Sequence, residues 1–253
     1  MAKYKICVDA GHGGKDPGAT NGNVYEKNIN LQIAKKLEAK LIETGLYDVY
    51  MTRTTDVYED PYTKAQEANK YGADYFISIH CNSAAMSSAN GVETLAYLGS
   101  TSSTNLAKAV QTELVAATKL RDRGIKFNNK LTVLNSTSMP AILVETAFIN
   151  NPKEVINLQS TAFQNDVASA IVRGLNAYLG VKPVEVTKPI VTTPKEEVVE
   201  KEEVKAISDF EEARLALMKL GITDGSNPKD PVTREQVWAM LYRLISKLGL
   251  NKK

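Results

Sequence analysis

Between Lys5 and Gly180 the chain alternates short β-branched apolar runs with longer stretches whose apolar residues recur three or four apart. A strand buries one face with a period of two, a helix a stripe with a period of about 3.6. Strands are expected at residues 5–9, 47–52, 74–79, 91–98, 131–134 and 141–144. Helices are expected at 27–44, where Ile29, Ile33, Leu37 and Leu41 form the stripe and Gly45 ends it, and at 63–71, 105–119 and 162–179. Strands separated by helices need crossover connections, so the expected fold class is α/β: a mostly parallel sheet flanked by helices.

This alternation fills residues 1–180, and the character then changes. Residues 181–206 carry Pro183, Pro189 and Pro194 among Val, Thr, Lys and Glu, with no helical apolar stripe, and read as an extended linker. Residues 207–253 hold two capping boxes, Ser208-x-x-Glu211 and Thr233-x-x-Gln236. Phe210, Ala213, Leu217 and Leu220 follow the first, and Val237, Leu241, Leu244 and Leu248 follow the second. Two short helices make a very small core. The module is therefore expected to pair between chains, giving a homo-oligomer.

Composition excludes several classes. Among 253 residues, 31 are basic and 29 acidic, a net charge of +2 that gives no field for nucleic acid. No window approaches the roughly 20 apolar residues of a membrane span, so no membrane insertion is expected. The opening MAKYKICVDAGHGG runs directly into a strand pattern and lacks the features of a signal peptide. Synthesis in the cytoplasm is expected, with Cys7 and Cys81 as free thiols.

There are 2 histidines, His12 and His80, each placed just past the carboxyl end of an expected strand. In open α/β sheets ligands bind at that edge. A single histidine there is commonly structural, but two in equivalent positions can converge on one ion. A catalytic zinc takes three protein ligands, often two histidines and a carboxylate, and keeps one position open. Glu26, at the start of the first long helix, is either the third ligand or an ordinary first-turn acid favoured by the helix dipole. Glu145 ends the apolar run Ala141-Ile-Leu-Val, so it is either a salt-bridged strand-end residue or a general base. Cys81 next to His80 reads as packing, because successive strand residues face opposite ways. Asp16 stands where a dinucleotide fingerprint needs its third Gly, and neither H-E-x-x-H nor G-x-S-x-G occurs.

Val8-Asp-Ala-Gly-His-Gly-Gly-Lys-Asp-Pro-Gly-Ala19, Glu26, Ser78-Ile-His-Cys-Asn82 and Leu143-Val-Glu-Thr-Ala-Phe-Ile-Asn-Asn151 resemble, in order, the motifs of the zinc-dependent N-acetylmuramoyl-L-alanine amidases of the AmiC/CwlV type. That resemblance implies a twisted sheet of about six strands. It also implies one zinc per chain on His12, Glu26 and His80, with Glu145 as catalytic base. The implied reaction cuts the amide between muramic acid and L-alanine in peptidoglycan, which makes peptidoglycan the expected partner. A wall-degrading domain without a signal peptide resembles phage endolysins, which act on the wall after release. The interval from His80 to Glu145 leaves no place for the inhibitory helix of periplasmic members, so an open site is expected. Leu220-Gly-Ile-Thr-Asp-Gly225 and Thr233-Arg-Glu235 resemble one S-layer homology motif, which implies wall binding by residues 207–253 as the alternative to self-association.

Two other readings use the same residues. A zinc carboxypeptidase or other peptide amidase would add an arginine that fixes a free carboxylate. A non-catalytic wall-binding protein would have lost the constellation that is intact here.

Overall fold

The computed structural model describes residues 3–182. Residues 183–253 lie outside the described residues, and with them nearly all of the expected linker and the whole two-helix module with its S-layer-like motif.

The elements are β1 (Tyr4–Ala10), β2 (Thr20–Asn21), β3 (Val24–Tyr25), α1 (Glu26–Glu43), β4 (Tyr47–Met51), α2 (Pro61–Tyr71), β5 (Tyr75–Asn82), β6 (Val92–Ala96), α3 (Thr101–Thr118), β7 (Asp122–Phe127), α4 (Thr132–Asn135), β8 (Ala141–Phe148), α5 (Glu154–Gln159) and α6 (Thr161–Leu179). Six strands form one sheet in the order β4-β1-β5-β8-β6-β7. The first four run parallel; β6 pairs antiparallel with β8, and β7 runs parallel to β6. The sheet is thus mostly parallel and helix-flanked, as the alternation of patterns requires.

Helix boundaries follow local chemistry. Asp60 caps α2 by accepting from the backbone N–H groups of Tyr62 and Thr63, Pro61 occupies its first turn, and Gly72 closes it with φ 69°. Ser160 caps α6 in the same way, accepting from the N–H of Phe163. The apolar stripes of α1, α3 and α6 pack on one face of the sheet, where Ile6, Val8, Ile77, Ile79, Ile142 and Val144 are fully buried. The other face holds a thinner core of Cys7, Phe76, Leu143, Ala68, Val133 and Leu134 under α2 and α4. Burying one leucine-sized side chain contributes about 1.5–3 kcal/mol, so the thicker face carries most of the stability.

The expected strand at 131–134 is instead the short helix α4, with Val133 and Leu134 buried. A four-residue apolar run has no readable period, and tertiary contacts decide its form. Strand β7 was not expected: it lies at the sheet edge, and Asp-Arg-Gly-Ile-Lys-Phe has no apolar run to announce it. The hairpin β2–β3 and helix α5 are likewise too short to show a period. Among the described residues no helix is long and apolar enough to cross a membrane.

Candidate active site

Strand β1 ends at Ala10, and the glycine-rich loop then carries His12 over the carboxyl edge of the sheet. His12 is held in the left-handed region, φ 61°, which costs a side-chain-bearing residue about 1–2 kcal/mol. Such strain persists only where surrounding contacts enforce it. Here two buried cations do so. Lys64 Nζ donates to Ala10 O at 2.8 Å, and Arg53 donates to Ala10 O and Gly11 O at 3.0 Å each and to Lys27 O at 2.8 Å.

Lys64 also pairs with Asp9 Oδ1 at 2.8 Å. Asp9 accepts further bonds from Thr52 Oγ1 (2.7 Å) and Ser78 Oγ (2.6 Å). Burial opposes its charge, but Lys64 and the two hydroxyls outweigh it and hold the carboxyl below its usual range.

Glu26 opens α1 and is 3% exposed. Its Oε1 lies 3.2 Å from His12 Nε2 and 3.0 Å from His80 Nδ1. Cys81 N–H and Asn30 Nδ2 donate to the same oxygen at 3.1 Å, and Ala19 N–H donates to Oε2 at 2.8 Å. One ligand atom from each of His12, Glu26 and His80 lies within 4.8 Å of the others. Burial works against ionising Glu26, yet the two histidines hold its carboxyl well below the ordinary range. Burial likewise opposes charge on His12, and Glu26 and Asp16 raise it to about 9. His12 Nδ1 sits 2.8 Å from Asp16 Oδ2, the orienting carboxylate that metal-bound histidines commonly have.

The loop needs glycine in order to approach this cluster. A Cβ on Gly11 would come within 2.3 Å of His80 Nε2, and one on Gly18 within 2.6 Å of Glu26 Oε2. The cradle fits a cation: two imidazoles and one ionised carboxylate converge, partly open to solvent on the histidine side, which is the donor chemistry of a catalytic zinc site.

His80 lies inside β5 rather than past its end, because the strand runs on to Asn82. Likewise Glu145 does not end β8, which continues to Phe148. The register His80↔Glu145 puts both side chains on one face of adjacent strands. Glu145 Oε2 is inaccessible and has no hydrogen-bond partner among the described residues. Burial, opposed by His80 and reinforced by Glu26 and Glu93, pushes this carboxyl up to about 7. A group with that affinity for protons suits proton transfer near neutrality. Cys81 faces the opposite way, 3% exposed in the core, with its thiol donating to Asn30 Oδ1 at 3.4 Å.

The four residues singled out in the sequence therefore meet at one sheet edge. Asp16, Asn30, Arg53 and Lys64 were not foreseen. Asn30, four residues after Glu26 on one helix, and Asp16, four after His12, leave a spacing signal; Arg53 and Lys64 act through the fold and leave none. Between His80 and Glu145, α3 and α4 pack into the two cores through Leu106, Val110, Leu114, Val133 and Leu134.

Solved amidase structures share this fold. A catalytic domain of the amidase CwlV from Bacillus (Paenibacillus) polymyxa superposes with TM-score 0.68 at 36% identity, covering 71% of this chain and 99% of that one. An N-acetylmuramoyl-L-alanine amidase from Clostridium difficile 630 gives TM-score 0.69 at 40% identity, covering 71% and 98%. The endolysin of Bacillus phage SPP1 is 37% identical over 183 residues, 70% of this chain and 66% of that protein. Residues 6–177 match the N-acetylmuramoyl-L-alanine amidase family (Amidase_3), a family of metal-dependent hydrolases. The chain belongs to that family and is an enzyme that hydrolyses the amide bond between N-acetylmuramic acid and L-alanine in peptidoglycan.

Proposed function

We propose that this amidase is zinc-dependent, with one zinc on His12, Glu26 and His80 and with Glu145 as general base. The observation that carries the reading is the convergence of the three donors within 4.8 Å, beside a carboxylate oxygen that has no other partner. Zinc bound there supplies Lewis acidity toward the amide carbonyl and the attacking water.

The chain's own residues do the rest. Asp16 and the backbone clamps of Arg53 and Lys64 fix the His12 ring. Glu145 accepts a proton from the attacking water. As the water oxygen bonds to the lactyl carbonyl carbon, the C–N bond breaks and Glu145 delivers that proton to the L-alanine nitrogen. Metal analysis tests the ligand set: zinc is expected to be removable by chelator and to restore lysis on return. His80→Ala is expected to lose metal and activity together; full activity in zinc-free protein overturns the assignment.

The cellular role is that of an endolysin, reached after release from the cytoplasm, a reading supported by the phage relative. Residues 181–206 act as a tether and 207–253 as a wall-binding or self-associating module joined to a catalytic domain ending near Gly180. Truncation after Gly180 is expected to leave turnover of soluble muropeptides unchanged and to lower activity on intact walls, because tethering raises effective concentration. Sedimentation of both forms reads association. A full-length monomer that binds walls no better than the truncation leaves the module without this role.

A further inference from the structure

The active-site face of the sheet does not stop at Glu145; it continues across β6 to the edge strand β7. The register pairs His80 with Glu145 and Asn82 with Phe148, so a bulge absorbs one extra residue in β8. His80 and Asn82 are two apart and share a face. Glu145 and Phe148 therefore share that face too, although they are three apart. Glu93 joins them as the antiparallel partner of Glu145.

Over this extension stands Arg123. Its guanidinium lies 4.8 Å from the centroid of the buried Phe148 ring, and its Nε donates to Glu93 Oε2 at 2.7 Å. Glu93 is held from its other oxygen by Asn82 Nδ2 at 2.8 Å. Arg123 is thus fixed by an ion pair and by an aromatic face, both through the inner part of the group. Of its outer nitrogens, Nη1 makes one long contact, 3.4 Å to Asn90 O, and Nη2 makes none among the described residues. The side chain is 28% exposed. The bond to Glu93 uses only Nε, which leaves N–H donors on the Nη1–Nη2 edge for a planar anion.

The substrate leaves the scissile amide in two directions. The glycan arm carries hydroxyls and acetamides, while the peptide arm carries carboxylates. Glu93 and Glu145 would repel an anionic peptide crossing this face unless a cation met it there.

We propose that Arg123 is a specificity-determining residue whose guanidinium binds a carboxylate on the peptide arm, so that the enzyme distinguishes a free carboxylate from a carboxamide at the residue following L-alanine. The proposal rests on the amidase reading. A carboxypeptidase would instead need the carboxylate on the residue it releases.

The test uses the zinc-loaded full chain and two muramoyl-tripeptides that differ only in acid or amide at the second residue. Wild-type kcat/KM is expected to favour the acid by about tenfold, mainly through KM, as for a charged hydrogen bond at a partly exposed site. In Arg123→Met the ratio is expected to fall to about one, through loss on the acid substrate alone. The free acid and amide tripeptides, used as inhibitors, are expected to show the same loss of discrimination. A wild-type ratio near one overturns the proposal without any variant. Equal losses on both substrates in R123M, with the ratio kept, also overturn it and make Arg123 a brace for Glu93. If R123M does not fold, Arg123→Gln gives the same readout. Failure of the amidase reading is distinct: neither substrate then yields a free L-alanine amine, and the proposal falls with it.

Discussion

Asp9 and Glu145 are carboxylates delivered by core strands to the same face of one sheet, with β5 between them: Asp9 pairs in register with Ser78, and Glu145 with His80. Asp9 meets Lys64, Thr52 and Ser78 and is held ionised. Glu145 meets no donor at Oε2 and is pushed up to about 7. The first anchors the loop that carries His12; the second has a buried oxygen without a partner among the described residues. Burial alone therefore does not mark a working carboxylate. Between these two carboxylates the difference is whether the buried oxygens are already satisfied.

Removing each carboxylate's function tests that contrast most strongly. Glu145→Gln is expected to lower kcat by about 10²–10⁴-fold while metal content and fold are kept, since the base binds no metal. Retention of a tenth of wild-type turnover would falsify the assignment. Lys64→Met attacks the other member of the pair. It strands a buried anion and frees Ala10 O, so denaturant unfolding is expected to show a loss of about 3–5 kcal/mol. A loss under 1 kcal/mol would place Asp9 outside the scaffold.

The pH dependence of stability sharpens the comparison, because the two groups have opposite signs. The Asp9 carboxyl lies below its usual range in the folded state, so its stabilisation is complete above about pH 4 and fades as pH falls toward the lowered folded value. Glu145 is raised to about 7, so in chelated protein stability is expected to decline as pH rises from about 4.5 to 7, by on the order of 2 kcal/mol. Urea midpoints across that window, wild type against E145Q, are the measurement; an unchanged slope in the variant rejects the account. The smallest expected effect belongs to Asp16→Asn, which leaves the fold intact and weakens zinc affinity about 10–100-fold by loosening the His12 ring. Competition with a metal indicator reads it, and wild-type affinity in the variant removes Asp16 from the site.

Much of the site is legible in the sequence. Scarcity made His12 and His80 conspicuous, strand periodicity placed them at one edge, and the motifs around Glu26 and Glu145 completed the constellation. The longer elements followed from their stripes and caps. The short ones did not: residues 131–134 became α4 and Asp122–Phe127 became an edge strand, because four to six residues hold no decisive period.

By itself the sequence determined the α/β class, a consequence of the period and spacing of its apolar runs, and singled out His12, Glu26, His80 and Glu145 through residue type and motif. Tertiary structure alone decided which carboxylate is satisfied and which is free. It also decided that Arg53 and Lys64 clamp the loop, and that a bulge in β8 brings Phe148 and Arg123 onto the face of Glu145. These depend on register and on partners distant in the chain, and no local pattern encodes the distance between two side chains that meet only when the sheet is assembled.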